Sequence, residues 1–295
     1  MTKVKNLVSD GCEKMVGWEK GVHASLERIF GIPLGRIICF FHHLEKSFEV
    51  ILLLYSGNTT SPGSYSRGVG KEIMGDLHKL PVKDFEVLPN AYLLTLIDST
   101  SEEVFRSLSN DHQVLIKLLR MVITGDLDKR FIFMKIGPVV TSRFTTSEAR
   151  TLRLYISEEN PSFPLKRVVN FLVYVWTPVF LLTKKMNKLE ATPRMLLMEV
   201  MLIQKHCSYP ERTLLATSIS FNGQMAHPEL VLLGMLSSTS SAERKRAVEI
   251  IFKVRSRGPI KWDTPTGVRP FKVKSLTKKH LHEFFNTISL AARGP

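Results

Sequence analysis

The first 55 residues alternate between short apolar runs and stretches whose apolar residues recur with a helical period. Residues 3–9 and 36–41 predict strands, and residues 18–30 and 44–55 predict helices. Two strands joined through a helix are usually parallel neighbours connected by a right-handed crossover. The pattern therefore predicts a β-α-β-α unit at the start of the chain.

The pattern changes after this unit. Residues 56–100 are rich in glycine, proline and serine and predict loops, whereas residues 101–124 and 145–157 predict helices. Within residues 101–124, the apolar period predicts a buried stripe of Leu115, Leu118, Leu119 and Val122, and the polar run Ser109-Asn110-Asp111 can interrupt the helix. Helices then follow one another almost without a break, with predicted spans of 165–185, 192–206, 208–220, 227–236, 241–256 and 277–290.

These patterns predict an α/β head in residues 1–157, a mostly α-helical body in residues 158–256 and a basic tail in residues 257–295. The net charge is +14, and the segment from Glu243 onward holds 13 basic and four acidic residues. Such an excess of positive charge favours polyanionic partners, with nucleic acid first and an anionic membrane surface second. The alternative is a solvated helix face followed by a tail without a binding role.

The three cysteines and the longest apolar stretch indicate in which cellular compartment the protein is expected. An odd, sparse set of cysteines gives no disulfide framework and is typical of a reducing compartment. Residues 168–182 are apolar over 15 positions, which is short for a membrane span of ~20 residues. No secretory signal precedes Asp10. We therefore predict an intracellular protein with a buried core helix and no membrane partner.

Several polar residues are candidates for chemistry. Asp10 directly follows the first predicted strand, where an acid is either a catalytic group or a plain turn or helix cap. Cys39 and His42 follow the second strand in C-x-x-H spacing, but a zinc site needs two further ligands, so simple packing is the alternative. His206 and Cys207 are sequence neighbours, which rarely meet in the geometry of a base and its nucleophile.

Three short motifs follow one another in a distinctive order. They are SDGCEKMVGWEKGV at residues 9–22, ICFFH at residues 38–42 and SRFTT at residues 142–146. This order resembles the hAT-type transposases and the transposon-derived proteins related to them. The later segments AHPELVLLGML and SAERKRAVEIIFKVR are similar to transposon-derived invertebrate proteins, so the resemblance extends from about residue 7 to about residue 275.

The resemblance implies an RNase H-like fold with a helical insertion, in which the head is an incomplete βαβ unit. It also implies Mg²⁺-dependent hydrolysis and strand transfer on transposon-end DNA, with carboxylates holding two Mg²⁺ ions. Asp10 matches the second acid of that site, and Cys39 with His42 matches the family's C-x-x-H pair. Arg143 and Phe144 match the family's Arg-Trp pair.

The sequence also departs from the family pattern. Only nine residues precede Asp10, which is too few for the upstream strands and the first acid, so we expect an N-terminally truncated chain. Glu229 is the best candidate for the third acid and Glu249 the next, although Glu229 alternatively caps a helix. Phe144 stands where the family has tryptophan, so stacking is retained and the indole donor is lost.

We therefore expect a transposase-derived, catalytically inactive, nuclear protein that retains DNA binding. The residues predicted to contact DNA are Arg143, Arg244, Lys245, Arg246, Arg255, Arg257, Lys272 and Lys274. Arg143 either clamps a phosphate or ties the insertion to the sheet. One alternative is a fragment of an active Mg²⁺-dependent nuclease, and another is a non-enzymatic interaction protein. A sheet without its first strands leaves an edge that an oligomer or a partner is expected to cover.

Overall fold

A computed structural model describes most of the first three quarters of the chain. The described residues are 6–9, 13–16, 20–31, 35–61, 63–139, 144–185, 188–221, 241, 242, 244, 245, 248 and 249. They are mostly helical, as predicted for the body, and the chain divides into two compact units. Unit 1 comprises residues 1–43, 186–197 and 217–295, and unit 2 comprises residues 44–185 and 198–216. The three-region division drawn from the sequence stays a prediction.

Unit 1 contains one parallel pair of short strands among its described residues. Its first elements are β1 (Asn6–Ser9), α1 (Glu13–Val16), α2 (Val22–Phe30) and β2 (Gly35–Ile38). Strands β1 and β2 run parallel, with Ser9 opposite Ile38. Gly31 ends α2 in the left-handed conformation (φ 63°), which glycine adopts without a side-chain penalty. The predicted parallel pairing is present, but a pair of four-residue strands does not identify an RNase H-like sheet.

Unit 2 consists of helices and one short hairpin in its described part. The elements that lie in it wholly or in part are α3 (Phe40–Ser56), β3 (Thr59–Ser61), β4 (Ser64–Tyr65), α4 (Gly68–Glu72), a 3₁₀ turn (Leu77–Lys79), α5 (Ala91–Asp98), α6 (Glu102–Ser107), α7 (Asn110–Thr124), α8 (Lys129–Ile132), α9 (Phe144–Tyr155), α10 (Phe163–Phe171), a π-helical turn (Leu172–Trp176), α11 (Thr177–Lys185), α12 (Lys188–His206) and α13 (Tyr209–Phe221).

The core of unit 2 forms where α7 packs against α9 and α9 packs against α10. The stripe predicted from the helical period of α7 is fully buried, and it consists of Leu115, Leu118, Leu119 and Val122. Each such side chain contributes about 1.5–3 kcal/mol when it leaves water. The interruption predicted at residues 109–111 is also present, because Ser109 Oγ caps α7 by accepting from the backbone N–H of His112.

The loop prediction for residues 56–100 is wrong at α5. Asn90 caps this helix, since its side-chain oxygen accepts a hydrogen bond from Leu93 N at 3.0 Å. Leu93 and Leu96 then bury the inner face of α5. A capping asparagine ahead of two leucines three residues apart is the signal that the glycine and proline content of this region obscured.

The glycine-rich segment that opens α4 makes a tight turn. Gly68 has φ 57°, and a Cβ placed there would lie 2.1 Å from the carbonyl oxygen of Tyr55. The backbone N–H of Gly70 donates to Ser56 Oγ at 2.7 Å. Glycine is required here because the chain approaches the end of α3 too closely for any side chain.

Among the described residues, one helical stretch, Phe163–Lys184, is long and apolar enough to cross a membrane. Of its most apolar window, 72% is buried inside the protein. A core helix of a folded protein has the same length and composition, as predicted for residues 168–182.

Candidate functional site

Eight of the residues singled out from the sequence lie outside the described part of the chain. These are Asp10, Arg143, Glu229, Arg246, Arg255, Arg257, Lys272 and Lys274. Their predicted roles in metal or DNA binding stay predictions. Cys39, His42, Arg244, Lys245 and Glu249 are described, and so is the backbone of Phe144.

The carboxyl ends of β1 and β2 lie at the same edge of the strand pair. The backbone N–H of Cys39 donates to the carbonyl oxygen of Ser9 at 2.7 Å, so Cys39 directly follows the paired strands. Helix α3 begins one residue later, and His42 and His43 occupy its first turn. His43 is buried and stacks on Phe40, with ring centroids 5.3 Å apart. In the part of the chain that the structure describes, no three potential metal ligands cluster together.

Helix α9 carries a buried carboxylate that the sequence reasoning missed. Glu148 is fully buried, and neither of its oxygens accepts a hydrogen bond from the described residues. Burial raises the pKa of Glu148 well above 4.5, and the nearby negative charge of Glu45 raises it further. Perturbed carboxyls of this kind are common at functional sites, although a buried structural acid shifts in the same direction.

His112 lies at the start of α7 in a small polar and aromatic cluster. Its Nδ1 shares a hydrogen bond with Ser109 Oγ at 2.7 Å, and its Nε2 lies 3.4 Å from Thr145 Oγ1. Its ring stacks on Phe180, with centroids 4.8 Å apart and planes 16° apart. Burial lowers the pKa of His112 to about 4, with a smaller contribution from Lys184. The imidazole is therefore neutral near pH 7.

Trp176 completes this aromatic stack at the end of the π-helical turn. Its ring lies 4.9 Å from that of Phe180, and its Nε1–H donates to the carbonyl oxygen of Leu44 at 3.1 Å. The side chain is buried. Asn90 stabilises the same turn, because its side-chain amide donates to the carbonyl oxygen of Val173 at 3.0 Å. The prediction of a buried core helix over residues 168–182 is confirmed at Trp176.

Two arginines of α9 hold two distant loops against the core. Arg150 donates to the carbonyl oxygens of Ile73 and Gly75 and to those of Ile136 and Gly137. Arg153, which is fully buried, donates to the carbonyl oxygens of Ile132 and Leu80 and to Ser157 Oγ. Burial lowers the pKa of both guanidinium groups. Carbonyls at helix ends lack intrahelical hydrogen-bond partners. Arg150 and Arg153 donate hydrogen bonds to carbonyls of this kind, so the role of both arginines is structural.

A second buried network links α10 to α13 and α3. Arg167 donates through Nε and Nη2 to both carboxylate oxygens of Glu211, at 3.0 and 2.5 Å. Tyr55 Oη and the backbone N–H of Ser208 also donate to this carboxylate. Close by, burial raises the pKa of the Cys207 thiol to about 12. A thiol with that pKa is not a nucleophile at neutral pH, in agreement with the sequence reasoning.

An open groove, here called the basic groove, follows α7, the turn after it and α8. Its volume is about 380 Å³. The charged residues that line it are Lys117, Arg120, Asp126, Asp128, Lys129 and Arg130. No signal in the sequence pointed to this groove, because its cations are spread over two helices and the turn between them.

In the C-terminal region, Arg244 and Lys245 are exposed. They open the segment that holds 13 of the basic residues of the chain. No protein-family model matches the chain, and no curated protein or solved structure matches it either.

Proposed function

We propose that this protein is transposase-derived, lacks catalytic activity and binds DNA through its basic C-terminal region. The observation that carries the proposal is the distribution of charge. The segment from Glu243 onward holds 13 basic and four acidic residues, which accounts for nine of the 14 net positive charges of the chain. The exposure of Arg244 and Lys245 supports this proposal, since phosphates can reach them. The motif order SDGCEKMVGWEKGV, ICFFH and SRFTT supports the transposase ancestry.

Binding of this kind is directed at phosphates. Lysine and arginine neutralise phosphates and release condensed counterions, so affinity falls steeply as salt is added. Phosphate contacts carry no sequence information by themselves. We therefore expect the protein to bind duplex DNA with little dependence on sequence.

The test is a charge-removal variant of the C-terminal region in the full chain. In the variant, Arg244, Lys245 and Arg246 are replaced by alanine. The matched control replaces Lys71, Lys79 and Lys83, three exposed lysines of unit 2, by alanine. We expect the variant to bind duplex DNA roughly tenfold more weakly, whereas the control changes affinity by less than about twofold. Equal losses in the two variants would contradict a specific role of the C-terminal region.

A second candidate is Mg²⁺-dependent cleavage of DNA. The favouring observation is that β1 and β2 run parallel and that Cys39 follows β2 at the edge where β1 ends. In the sequence, Asp10 comes directly after Ser9, the last residue of β1. Parallel strands commonly carry ligand and catalytic groups at their carboxyl ends. Nicking of supercoiled DNA that requires Mg²⁺ and disappears in Asp10→Ala supports this candidate. Nicking that is unchanged in Asp10→Ala removes it.

The remaining alternative is an interaction module that uses the body helices as a docking surface. This alternative expects exposed apolar side chains between residues 165 and 206. Among the described residues in this range, Met201 is the large apolar side chain that is more than half exposed, at 54%. A single exposed methionine gives a docking surface little support.

A further inference from the structure

Positively charged side chains outnumber carboxylates in the lining of the basic groove. Four cations line it, namely Lys117, Arg120, Lys129 and Arg130, and two carboxylates oppose them, namely Asp126 and Asp128. Arg120 is hydrogen-bonded to Asp98, and Arg130 donates through Nε and Nη2 to Asp128 at 3.1 and 2.9 Å. In the described part of the chain, no carboxylate forms a salt bridge with Lys117 or Lys129. The ammonium groups of Lys117 and Lys129 are therefore placed to bind an anion in the groove.

Aromatic rings position one of these ammonium groups. Lys117 Nζ lies 5.3 Å from the ring centroid of Phe105 and 5.8 Å from that of Phe131. A cation over the face of an aromatic ring is attracted by the ring's electron density, so the two rings restrain the lysine side chain. The ammonium group is thereby held at the groove before any ligand arrives, which reduces the entropy lost on binding.

Exposed apolar groups accompany the charges. Leu127 lines the groove and is 48% exposed. Phe133 does not line the groove, but it directly follows α8, which supplies Lys129 and Arg130 to the groove, and it is 63% exposed. Cations beside exposed aromatic rings form the surface on which unpaired bases stack while phosphates contact lysine or arginine. A groove of about 380 Å³ is comparable to a small-ligand pocket and can receive a single nucleotide, whereas a duplex keeps its bases stacked and paired.

We propose that the basic groove binds single-stranded nucleic acid. Lys117 and Lys129 contact the phosphates, and the ring of Phe133 stacks on an unpaired base. This site lies in unit 2, and its residues differ from those of the basic C-terminal region. This proposal rests on the proposed function in one respect, since both assume that the protein encounters nucleic acid.

The first experiment measures binding of a fluorescein-labelled oligothymidine of roughly 20 nucleotides to the full chain by fluorescence anisotropy. The groove variant is Lys117→Ala with Lys129→Ala, and the matched control is Lys71→Ala with Lys83→Ala, which removes the same charge elsewhere on unit 2. We expect the groove variant to bind roughly tenfold more weakly and the control to change by less than about twofold. Equal affinities of the groove variant and the control would overturn the proposal.

Two exposed positions test the proposal without disturbing the core. Asp126→Asn removes a negative charge from the groove and is expected to tighten oligothymidine binding by about threefold. Phe133→Ala is expected to weaken binding of the oligothymidine by about fivefold and to leave binding of a duplex of equal length unchanged. Weaker binding of Asp126→Asn, or an equal loss for both nucleic acids in Phe133→Ala, would contradict the proposed site.

The C-terminal variant separates this proposal from the proposed function. If the triple variant at Arg244, Lys245 and Arg246 loses both nucleic acids and the groove variant loses neither, the groove is not a site and the proposed function stands. If the wild-type chain binds neither nucleic acid, both proposals fail. If polyglutamate displaces oligothymidine from the wild-type chain as well as unlabelled oligothymidine of equal charge does, the groove takes acidic peptides and the nucleic-acid assignment is wrong.

Discussion

Two buried glutamates of unit 2 experience opposite environments. Glu211, which is 1% exposed, accepts hydrogen bonds from Arg167, Tyr55 and the backbone of Ser208. Burial by itself would raise its pKa, but the hydrogen bonds from Arg167, Ser208 and Tyr55 together lower it below 4.5. Glu148 is equally buried and accepts no hydrogen bond from the described residues, so burial raises its pKa well above 4.5.

Burial alone therefore does not decide whether the pKa of a carboxyl group rises or falls. At Glu211 the partners replace the lost water, and the ionised form is stabilised as part of an inter-helix link. At Glu148 no described partner replaces the water, so the protonated form is favoured and the ionised form costs free energy. The ionised carboxylate of Glu211 therefore stabilises unit 2, whereas ionisation of Glu148 destabilises unit 2 at high pH.

The largest effect is expected when the Arg167–Glu211 link is broken. Arg167→Met leaves the buried Glu211 carboxylate without its main partner, which is expected to lower the free energy of unfolding by about 3–5 kcal/mol. Urea denaturation followed by far-UV circular dichroism measures the loss. The matched control is Arg106→Met, because the Arg106–Glu102 pair is 77% and 71% exposed. We expect it to cost less than about 0.5 kcal/mol, and equal losses would show that the buried link is not special.

The next effect is a gain in stability. The unfolded-state pKa of Glu148 is near 4.5 and its folded-state pKa is higher, so the destabilisation is absent below about pH 4.5 and grows as pH rises. Glu148→Gln removes this ionisation and is expected to raise the free energy of unfolding by about 2 kcal/mol at about pH 8. The same substitution is expected to have little effect near about pH 5.

Urea midpoints of Glu148→Gln and wild type at the two pH values measure this difference. The control is Glu159→Gln, since Glu159 is exposed in the loop that follows α9. A loss of stability in Glu148→Gln at both pH values would show that the carboxylate has a partner that stabilises it, and the contrast with Glu211 would disappear.

A smaller effect is expected at His112. Its folded-state pKa is about 4 against an ordinary value of 6.5, so the unfolded chain takes up a proton before the folded one does. Stability is therefore lost as pH falls from about 6.5 to about 4. Because the ring is partly exposed, we expect about 1 kcal/mol of this loss between about pH 7 and about pH 5. His112→Gln is expected to flatten the pH dependence, and an unchanged slope in that variant would assign the titration to other groups.

The sequence predicted the parts of the fold that depend on local pattern. The buried stripe of α7, the interruption before it and the core character of Trp176 all follow from spacing and composition. These features are local because the apolar period and the capping serine lie within one or two helical turns. The RNase H-like assignment of the head depends on strands that the described residues do not contain, and it stays a proposal.

The sequence did not predict the buried polar face of α9. Arg150 and Arg153 look like residues of a solvated helix face, but they bond to carbonyls of residues 73–80 and 132–137. These partners are far away in sequence, so no local pattern shows that the guanidinium groups are satisfied when buried. The same reason explains why Glu148 and the basic groove were missed, since each depends on which helices pack together.

We propose that the excess of positive charge makes this protein bind nucleic acid. The most direct test is the affinity of the full chain for duplex DNA as salt is raised from about 50 to about 300 mM. We predict that binding is lost over this range and that the logarithm of the affinity falls linearly with the logarithm of salt, with a slope of about −0.9 for each neutralised phosphate. An affinity that does not change with salt would contradict the claim.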